Sequence, residues 1–227
     1  MSNPVDVAGV IHREHSALAA ETRIAQCPPI VAVNDMDDIS RVPRVLRDAH
    51  ATSVNRLAGA RGPAFVVDCP SLDSTALWVG TGNDYYRDDY VVYLNAFYKL
   101  KLDKVPAEYD VDHLYNRARA QMYGLQFIRV ALVSGPVNRS HGASVEKDLT
   151  VNEALRVRKG MKVMDEIATM KYFGFLAPTR TNPRANEIVA YANFAATNLG
   201  LDPEQVRQSV AYLRQKASTP WAKKPKP

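Results

Sequence analysis

Two short strings in the middle of the chain contain the residues with the clearest chemical pattern. The first string, Tyr109–His113, reads Tyr-Asp-Val-Asp-His and places two carboxylates beside an imidazole. The second, Val137–Gly142, begins with Val-Asn-Arg-Ser-His, and its Asn138 lies 25 residues after His113. The β-prone run Phe127–Val133 lies between them and ends at Ser-Gly-Pro. This order predicts a strand, a loop, a second strand and a helix, with an amide at the start of the helix.

This set of residue types suits the hydrolysis of a phosphodiester. An imidazole with an ordinary pKa of about 6.5 can take a proton from water at neutral pH. A hard divalent ion held by carboxylate and amide oxygens can polarise the phosphate and hold the leaving oxygen. Neighbouring residues of a strand point to opposite faces. We therefore expect Asp112 and His113 to reach the scissile bond from different sides, or through a local distortion of the strand.

The strings Asp110–His113 and Asn138-Arg139 resemble the HNH domain of RNA-guided CRISPR nucleases. They also resemble the wider His-Me finger (ββα-metal) family, which includes homing endonucleases and bacterial toxin nucleases. The resemblance covers residues 109–147 of a chain of 227 residues. It implies a β-hairpin packed on a helix around one divalent metal ion.

The resemblance also implies a role for individual side chains. His113 would be the general base, while Asp112 and Asn138 would hold the metal ion. Mg²⁺ is the expected ion, with Mn²⁺ and Zn²⁺ as alternatives. His141 would be a further metal ligand or a phosphate contact. The residues expected to bind nucleic-acid phosphates are Arg117, Arg139 and Lys147.

Composition and charge narrow the class of protein. An apolar content of 46% and a charged content of 23% are ordinary for a soluble globular protein. The sequence shows neither an apolar run long enough for a membrane span nor a signal-peptide pattern, so the expected site of action is cytoplasmic, with no membrane partner. The two cysteines, Cys27 and Cys69, are far apart in the chain, which excludes a Cys-x-x-Cys zinc knuckle.

The net charge of +5 is unevenly distributed along the chain. From residue 151 onward there are 13 Lys and Arg against 6 Asp and Glu, a net of +7, whereas residues 1–150 carry a net of −2. A basic half joined to a nearly neutral half is typical of a protein that binds a polyanion. A solvated basic face with a lysine-rich tail is the alternative explanation.

Periodicity and turn signals predict an α+β protein, and the resemblance implies a ββα-metal finger embedded in a mainly helical chain. Residues 1–105 are expected to be mainly helical with short strands, 106–150 to form the catalytic ββα unit, 151–217 to be helical and basic, and 218–227 to be a disordered tail. The predicted helices are 5–25, 39–58, 86–101, 151–172, 182–200 and 202–216, and the predicted short strands are 30–33 and 64–67. The last two helices could form a packed hairpin or a DNA-binding helix-turn-helix.

The predicted function is that of a metal-dependent endonuclease acting on DNA, with double-stranded DNA favoured. It would suit an antibacterial toxin or effector delivered into another cell, with an immunity protein as partner, or a phage or mobile-element nuclease. Two alternatives stay open: a nucleic-acid-binding protein without catalysis, and a toxin that cleaves RNA. In the first, the Asp-His pair would be a satisfied buried pair and Asn138 part of a capped turn.

Overall fold

A computed structural model of the protein describes residues 6–25, 27–35, 38, 53–142, 161–178, 182 and 184–218. In these ranges helices pack against an antiparallel sheet, which confirms the predicted α+β class. The strands are β1 Ile30–Val33, β2 Ser53–Arg56, β3 Ala64–Cys69, β4 Ser74–Gly80, β5 Tyr109–His113, β6 Phe127–Ser134 and β7 Met161–Val163.

Strand β6 is the centre of the sheet. The strand order is β2-β3-β4-β6-β1-β7, and β5 also pairs with β6. Since β4 occupies one edge of β6, the other edge is divided between two partners. β1 pairs with Phe127 and Ile128, and β5 pairs with the stretch from Val130 to Ser134. This division places β5 beside the central strand, and β6 is its only partner among the described strands.

The helices cover both faces of the sheet. They are α1 Val7–Ala25, α2 Tyr86–Tyr98, α3 Arg117–Met122, α4 Gly135–Gly142, α5 Glu166–Tyr172, α6 Ala185–Phe194 and α7 Pro203–Ser218. Helix α6 continues as a π-helical segment, Ala195–Leu199, and ends at Gly200 with φ +70°, a backbone conformation that favours glycine. Asn116 and Asp165 cap α3 and α5 by accepting backbone N–H groups.

The alternation of side chains along β5 and β6 separates two apolar clusters. One cluster joins Val111 of β5, with Val130 and Leu132 of β6, to Tyr90 and Leu94 of α2. The other cluster contains Ala131 of β6, Leu18 of α1 and Tyr172 of α5. Helix α1 contributes to both, because its Val10 belongs to the first cluster.

Most predicted elements are confirmed, and two predictions are wrong. Residues 53–56 lie inside the predicted helix 39–58 but form β2, which pairs with β3. Residues 161–163 lie inside the predicted helix 151–172 but form β7, which pairs with β1. Both segments are short, so partners distant in the chain outweigh their weak local preference for helix. Strand β4 and helix α3 were not predicted.

Some predictions concern residues outside the described ranges. These are most of the helix 39–58, the first part of the helix 151–172, Lys147, and the tail beyond residue 218. The sheet takes strands from each of the first three predicted regions, 1–105, 106–150 and 151–217. Among the described helices, none has the length and apolar character needed to cross a membrane.

Candidate functional site

The hairpin of β5 and β6 positions the residues of the two strings. Asp112 pairs with Ala131, and His113 pairs with Val130 across the antiparallel ladder. Strand β6 ends at Ser134 and α4 begins at Gly135, so the chain turns back at once toward β5. As a result Asn138, in the first turn of α4, donates its Nδ2 proton to Asp110 Oδ2 at 3.1 Å.

Two carboxylates lie on the same face of β5. Asp110 and Asp112 are separated by one residue, so their Cα atoms are roughly 7 Å apart and their side chains point the same way. Asp112 forms an ion pair at 2.5 Å with Lys171 of α5, whose side chain is only 2% exposed. The sequence predicted that Asn138 would join Asp112, whereas its hydrogen bond goes to Asp110.

His113 points away from these carboxylates, as the alternation along a strand requires. Its ring lies 4.3 Å from the ring of Tyr86, centroid to centroid, and the residue is 7% exposed. Burial lowers the pKa of His113 to about 4, so the imidazole is neutral at pH 7. Its Nε2 is buried and has no hydrogen-bond partner among the residues that the structure describes. An unsatisfied buried nitrogen is uncommon in native proteins and is a feature that needs explanation.

Two side chains lie over this imidazole. Tyr86 lies against His113, and the guanidinium of Arg87 lies 4.5 Å from the centre of the Tyr86 ring. Both residues are at the start of α2, the helix that packs against Val111. A planar cation above an aromatic ring is a weakly attractive contact. Access to the imidazole from this side therefore depends on Tyr86 and Arg87.

His141 is fully buried and ties α4 to a neighbouring segment. Its Nε2 lies 2.9 Å from the carbonyl oxygen of Phe175, and because a carbonyl only accepts, Nε2 is the donor. Burial lowers the pKa of His141 to about 4. Ser140 reinforces the same junction by accepting the N–H of Ala177 at 3.1 Å. Both contacts fix α4 to the segment that follows α5. A metal-binding role for His141 stays a prediction.

The residues predicted to bind phosphate have different environments. Arg117 donates to the carbonyl oxygen of Thr81 and to the carboxylate of Asp84, both at 2.7 Å, so part of its charge is already neutralised. Arg139 is exposed on α4, one residue after Asn138. Arg117 and Arg139 flank the hairpin, whereas Lys147 lies outside the described residues.

The chemistry of the donor set decides which metal would fit. No three His, Cys, Asp or Glu side chains converge within the part of the chain that the structure describes. The hairpin instead offers Asp110 and Asp112 together with the amide of Asn138, a set made of oxygen donors. Carboxylate and amide oxygens are the ligands of hard ions such as Mg²⁺, which keeps several waters and needs few protein ligands. The set therefore fits Mg²⁺ or Mn²⁺ better than Zn²⁺, which takes nitrogen and sulfur ligands.

Three residues of this site were given no individual role from the sequence. A role for Asp110 could have been predicted, because it lies two residues before Asp112 in a predicted strand and so shares its face. Tyr86 and Lys171 belong to helices distant in the chain, and no local pattern connects them to β5. Only the packing of α2 and α5 on opposite faces of the sheet brings them to the site.

Comparisons with known proteins do not assign the chain to a family. No family model matches the chain, and neither a curated protein nor a solved structure does. The geometry of β5, β6, α4 and α5 is therefore the basis for a functional assignment.

Proposed function

We propose that the protein is a metal-dependent endonuclease of the HNH type, which hydrolyses phosphodiester bonds of double-stranded DNA. The observation that carries the proposal is the hydrogen bond between Asn138 and Asp110. It brings an amide to the carboxylate face of β5 from 28 residues along the chain. An amide beside two carboxylates supports the proposal, because these oxygen donors are the ligands of a hard divalent ion.

Asp110, Asp112 and Asn138 would hold the divalent ion. In place of its present contact, the Asn138 amide would turn its oxygen toward the ion, a rotation that exchanges two groups of nearly equal size. When bound, the ion supplies a positive charge that polarises the phosphate and stabilises the leaving oxygen. The Asp112 carboxylate forms an ion pair with Lys171, a contact that the ion would share or displace.

His113 would accept the proton of the attacking water. Its imidazole is neutral at pH 7, and among the described residues its Nε2 has no hydrogen-bond partner to give up. Nε2 would take one proton as the water oxygen attacks phosphorus, and the bond to the leaving sugar oxygen would break. The products are a phosphomonoester and an alcohol, whose oxygen takes a proton from solvent. Since His113 is only 7% exposed and points away from the carboxylates, productive binding requires Tyr86 and Arg87 to move aside and β5 to distort locally, so that the imidazole reaches the scissile bond.

The charge of the chain supports a nucleic-acid substrate. The sequence has a net charge of +5, and the residues from 151 onward have a net charge of +7. Arg139 adds an exposed cation on α4, and Arg117 adds a cation that Asp84 partly neutralises. Lys and Arg that neutralise phosphates give binding that is strong at low salt and independent of base sequence. A toxin or effector with a cognate immunity protein, or a phage or mobile-element nuclease, would use such binding.

A nucleic-acid-binding protein without catalysis is the second candidate. The observation that favours it is the burial of His113 together with the ammonium of Lys171 at Asp112. In that case the ion pair and the stacked imidazole would serve only to join the helices to the sheet.

Cleavage of supercoiled plasmid with Mg²⁺ distinguishes the two candidates. We expect the wild-type protein to nick the plasmid and EDTA to stop it. His113→Ala should lose about 100-fold or more of the rate, the usual contribution of a general base. The matched control is His12→Ala, since His12 is exposed on α1. Circular dichroism and thermal melting should show that both variants fold.

Each other outcome has a definite meaning. Full nicking by His113→Ala at wild-type rate would remove His113 as the base. A gel shift of DNA without cleavage, with or without Mg²⁺, would favour the binding protein. Parallel digestion of transfer RNA tests the substrate, because cleavage of RNA alone would replace the DNA assignment with a ribonuclease.

A further inference from the structure

A buried ammonium group lies against one of the candidate ligand carboxylates. The Nζ atom of Lys171 is 2.5 Å from Asp112 Oδ2, with side-chain exposures of 2% for the lysine and 22% for the aspartate. Helix α5 holds the lysine there, because Asp165 caps the helix and both Ile167 and Met170 are buried in an apolar cluster. An ammonium removed from water is costly unless an opposite charge compensates it. The packing of α5 therefore fixes the ion pair of Lys171 with Asp112.

We propose that Lys171 is the counter-cation of the candidate metal site. Its ammonium neutralises and holds the Asp112 carboxylate, and a divalent ion must compete with it for that carboxylate. The inference rests on the proposed function and deepens it, because the metal affinity of the site becomes dependent on a residue outside the hairpin. Lys171 contacts Asp112 and not the substrate, so it is a positioning residue.

Removal of the ammonium has two consequences of opposite sign. Like charges repel, so a divalent ion bound by Asp112 is destabilised by a positive charge a few ångströms away. A variant without that charge binds the ion more tightly. In the absence of metal, however, the same variant leaves Asp112 without its partner, and the protein melts at a lower temperature. A merely structural role of Lys171 predicts the lower melting temperature alone.

Titration of the full chain with Mn²⁺ in a calorimeter tests the inference. Lys171→Met keeps the length of the side chain and removes the charge, whereas Lys171→Arg keeps the charge. We expect Lys171→Met to bind Mn²⁺ about tenfold more tightly than wild type, with a lower melting temperature and a larger rise on adding Mn²⁺. Lys171→Arg should bind Mn²⁺ as wild type does. Unchanged or weaker Mn²⁺ binding by Lys171→Met would overturn the inference.

Two further variants make the test independent of whether Lys171→Met folds. Asp112→Asn removes the negative charge beside the ammonium, while the double variant Asp112→Asn/Lys171→Met contains neither charge. The double variant should melt higher than Asp112→Asn and bind no Mn²⁺ at this site. Strictly additive losses of melting temperature would contradict the coupling between the two side chains.

Arg129→Met is the matched control, because Arg129 forms a buried ion pair with Glu21 at 3.0 Å. It should lower the melting temperature and leave Mn²⁺ affinity unchanged. Equal tightening in this variant would show that the gain is unspecific and would overturn the inference. If wild type cleaves no nucleic acid but Lys171→Met gains Mn²⁺ affinity, the proposed function fails and the counter-cation stands. If wild type cleaves nucleic acid but Lys171→Met binds Mn²⁺ with unchanged affinity, the proposed function stands and the counter-cation inference fails.

Discussion

The carboxyl group of Glu14 gives the stability of the protein a pH dependence that can be calculated. Glu14 lies on α1 and is only 7% exposed. Its two oxygens accept the hydroxyl proton of Tyr90 at 2.9 and 3.0 Å, and Tyr93 is 3.4 Å away. Burial raises the pKa of Glu14 from its ordinary value of 4.5 to about 7, against the lowering effect of these hydrogen bonds and of Arg129.

The sign follows from which state binds the proton. Between pH 4.5 and pH 7 the folded protein keeps Glu14 protonated while the unfolded chain has lost that proton. The stabilisation is complete below pH 4.5 and is lost as the pH rises through the folded pKa. Each pH unit in this window is worth about 1.4 kcal/mol, so the free energy of unfolding falls by about 3 kcal/mol by pH 7.

Glu14→Gln isolates this effect, because glutamine resembles the protonated carboxyl group and does not titrate. We expect the variant to gain stability relative to wild type as the pH rises, by about 3 kcal/mol between pH 4.5 and pH 8. Urea denaturation of both proteins at half-unit pH steps measures the difference.

The quantity to compare is the difference in unfolding free energy between wild type and Glu14→Gln. The absolute values also contain the effect of buried histidines, which changes stability with pH in the opposite direction. Burial lowers the pKa of His15, His113 and His141 to about 4, so each loses stabilisation as the pH falls from 6.5 toward 4. That contribution is common to both proteins and cancels. A difference that is constant with pH, or that shrinks as the pH rises, would refute the burial of an uncharged Glu14.

Three further predictions concern packing and charge. Arg129→Met should lower the free energy of unfolding, measured in urea, by about 3 to 5 kcal/mol. It removes the partner of the buried Glu21 carboxylate, in a pair whose side chains are 7% and 15% exposed. The control is Arg207→Met in the exposed pair with Glu204, which should cause no measurable loss. Gly62→Ala should lower the free energy of unfolding by about 1 to 3 kcal/mol, because its Cβ would lie 2.2 Å from Asn83 Oδ1. The control is Gly82→Ala, whose Cβ would have no described atom within 4 Å and which should leave the stability unchanged. Arg139→Ala should reduce the slope of log affinity for DNA against log salt by about one, and an unchanged slope, equal to that of the control Arg56→Ala on β2, would exclude a phosphate contact.

Local patterns in the sequence identify most of the elements that carry the site. The β-branched run of β6, the alternation in β5 and the proline and cap signals before α6 and α7 are each contained in a few neighbouring residues. These signals fail for β2 and β7, because a strand of three or four residues is stabilised by its partners and carries little periodicity of its own. They also miss β4, whose inner residues from Ala76 to Gly80 are all buried, so it lacks the alternation of a half-exposed strand.

The sequence by itself determined the chemical groups of the candidate site and the spacing that returns Asn138 to β5. It could not determine their partners, because a hydrogen bond or ion pair depends on distances across the sheet and not on neighbours in the chain. Only the tertiary structure decided that Asn138 meets Asp110, that Lys171 lies against Asp112 from 59 residues away, and that His113 is covered by Tyr86. The physical reason is that helices α2 and α5 are positioned by their buried apolar side chains, and the polar groups they carry to the site follow from that packing.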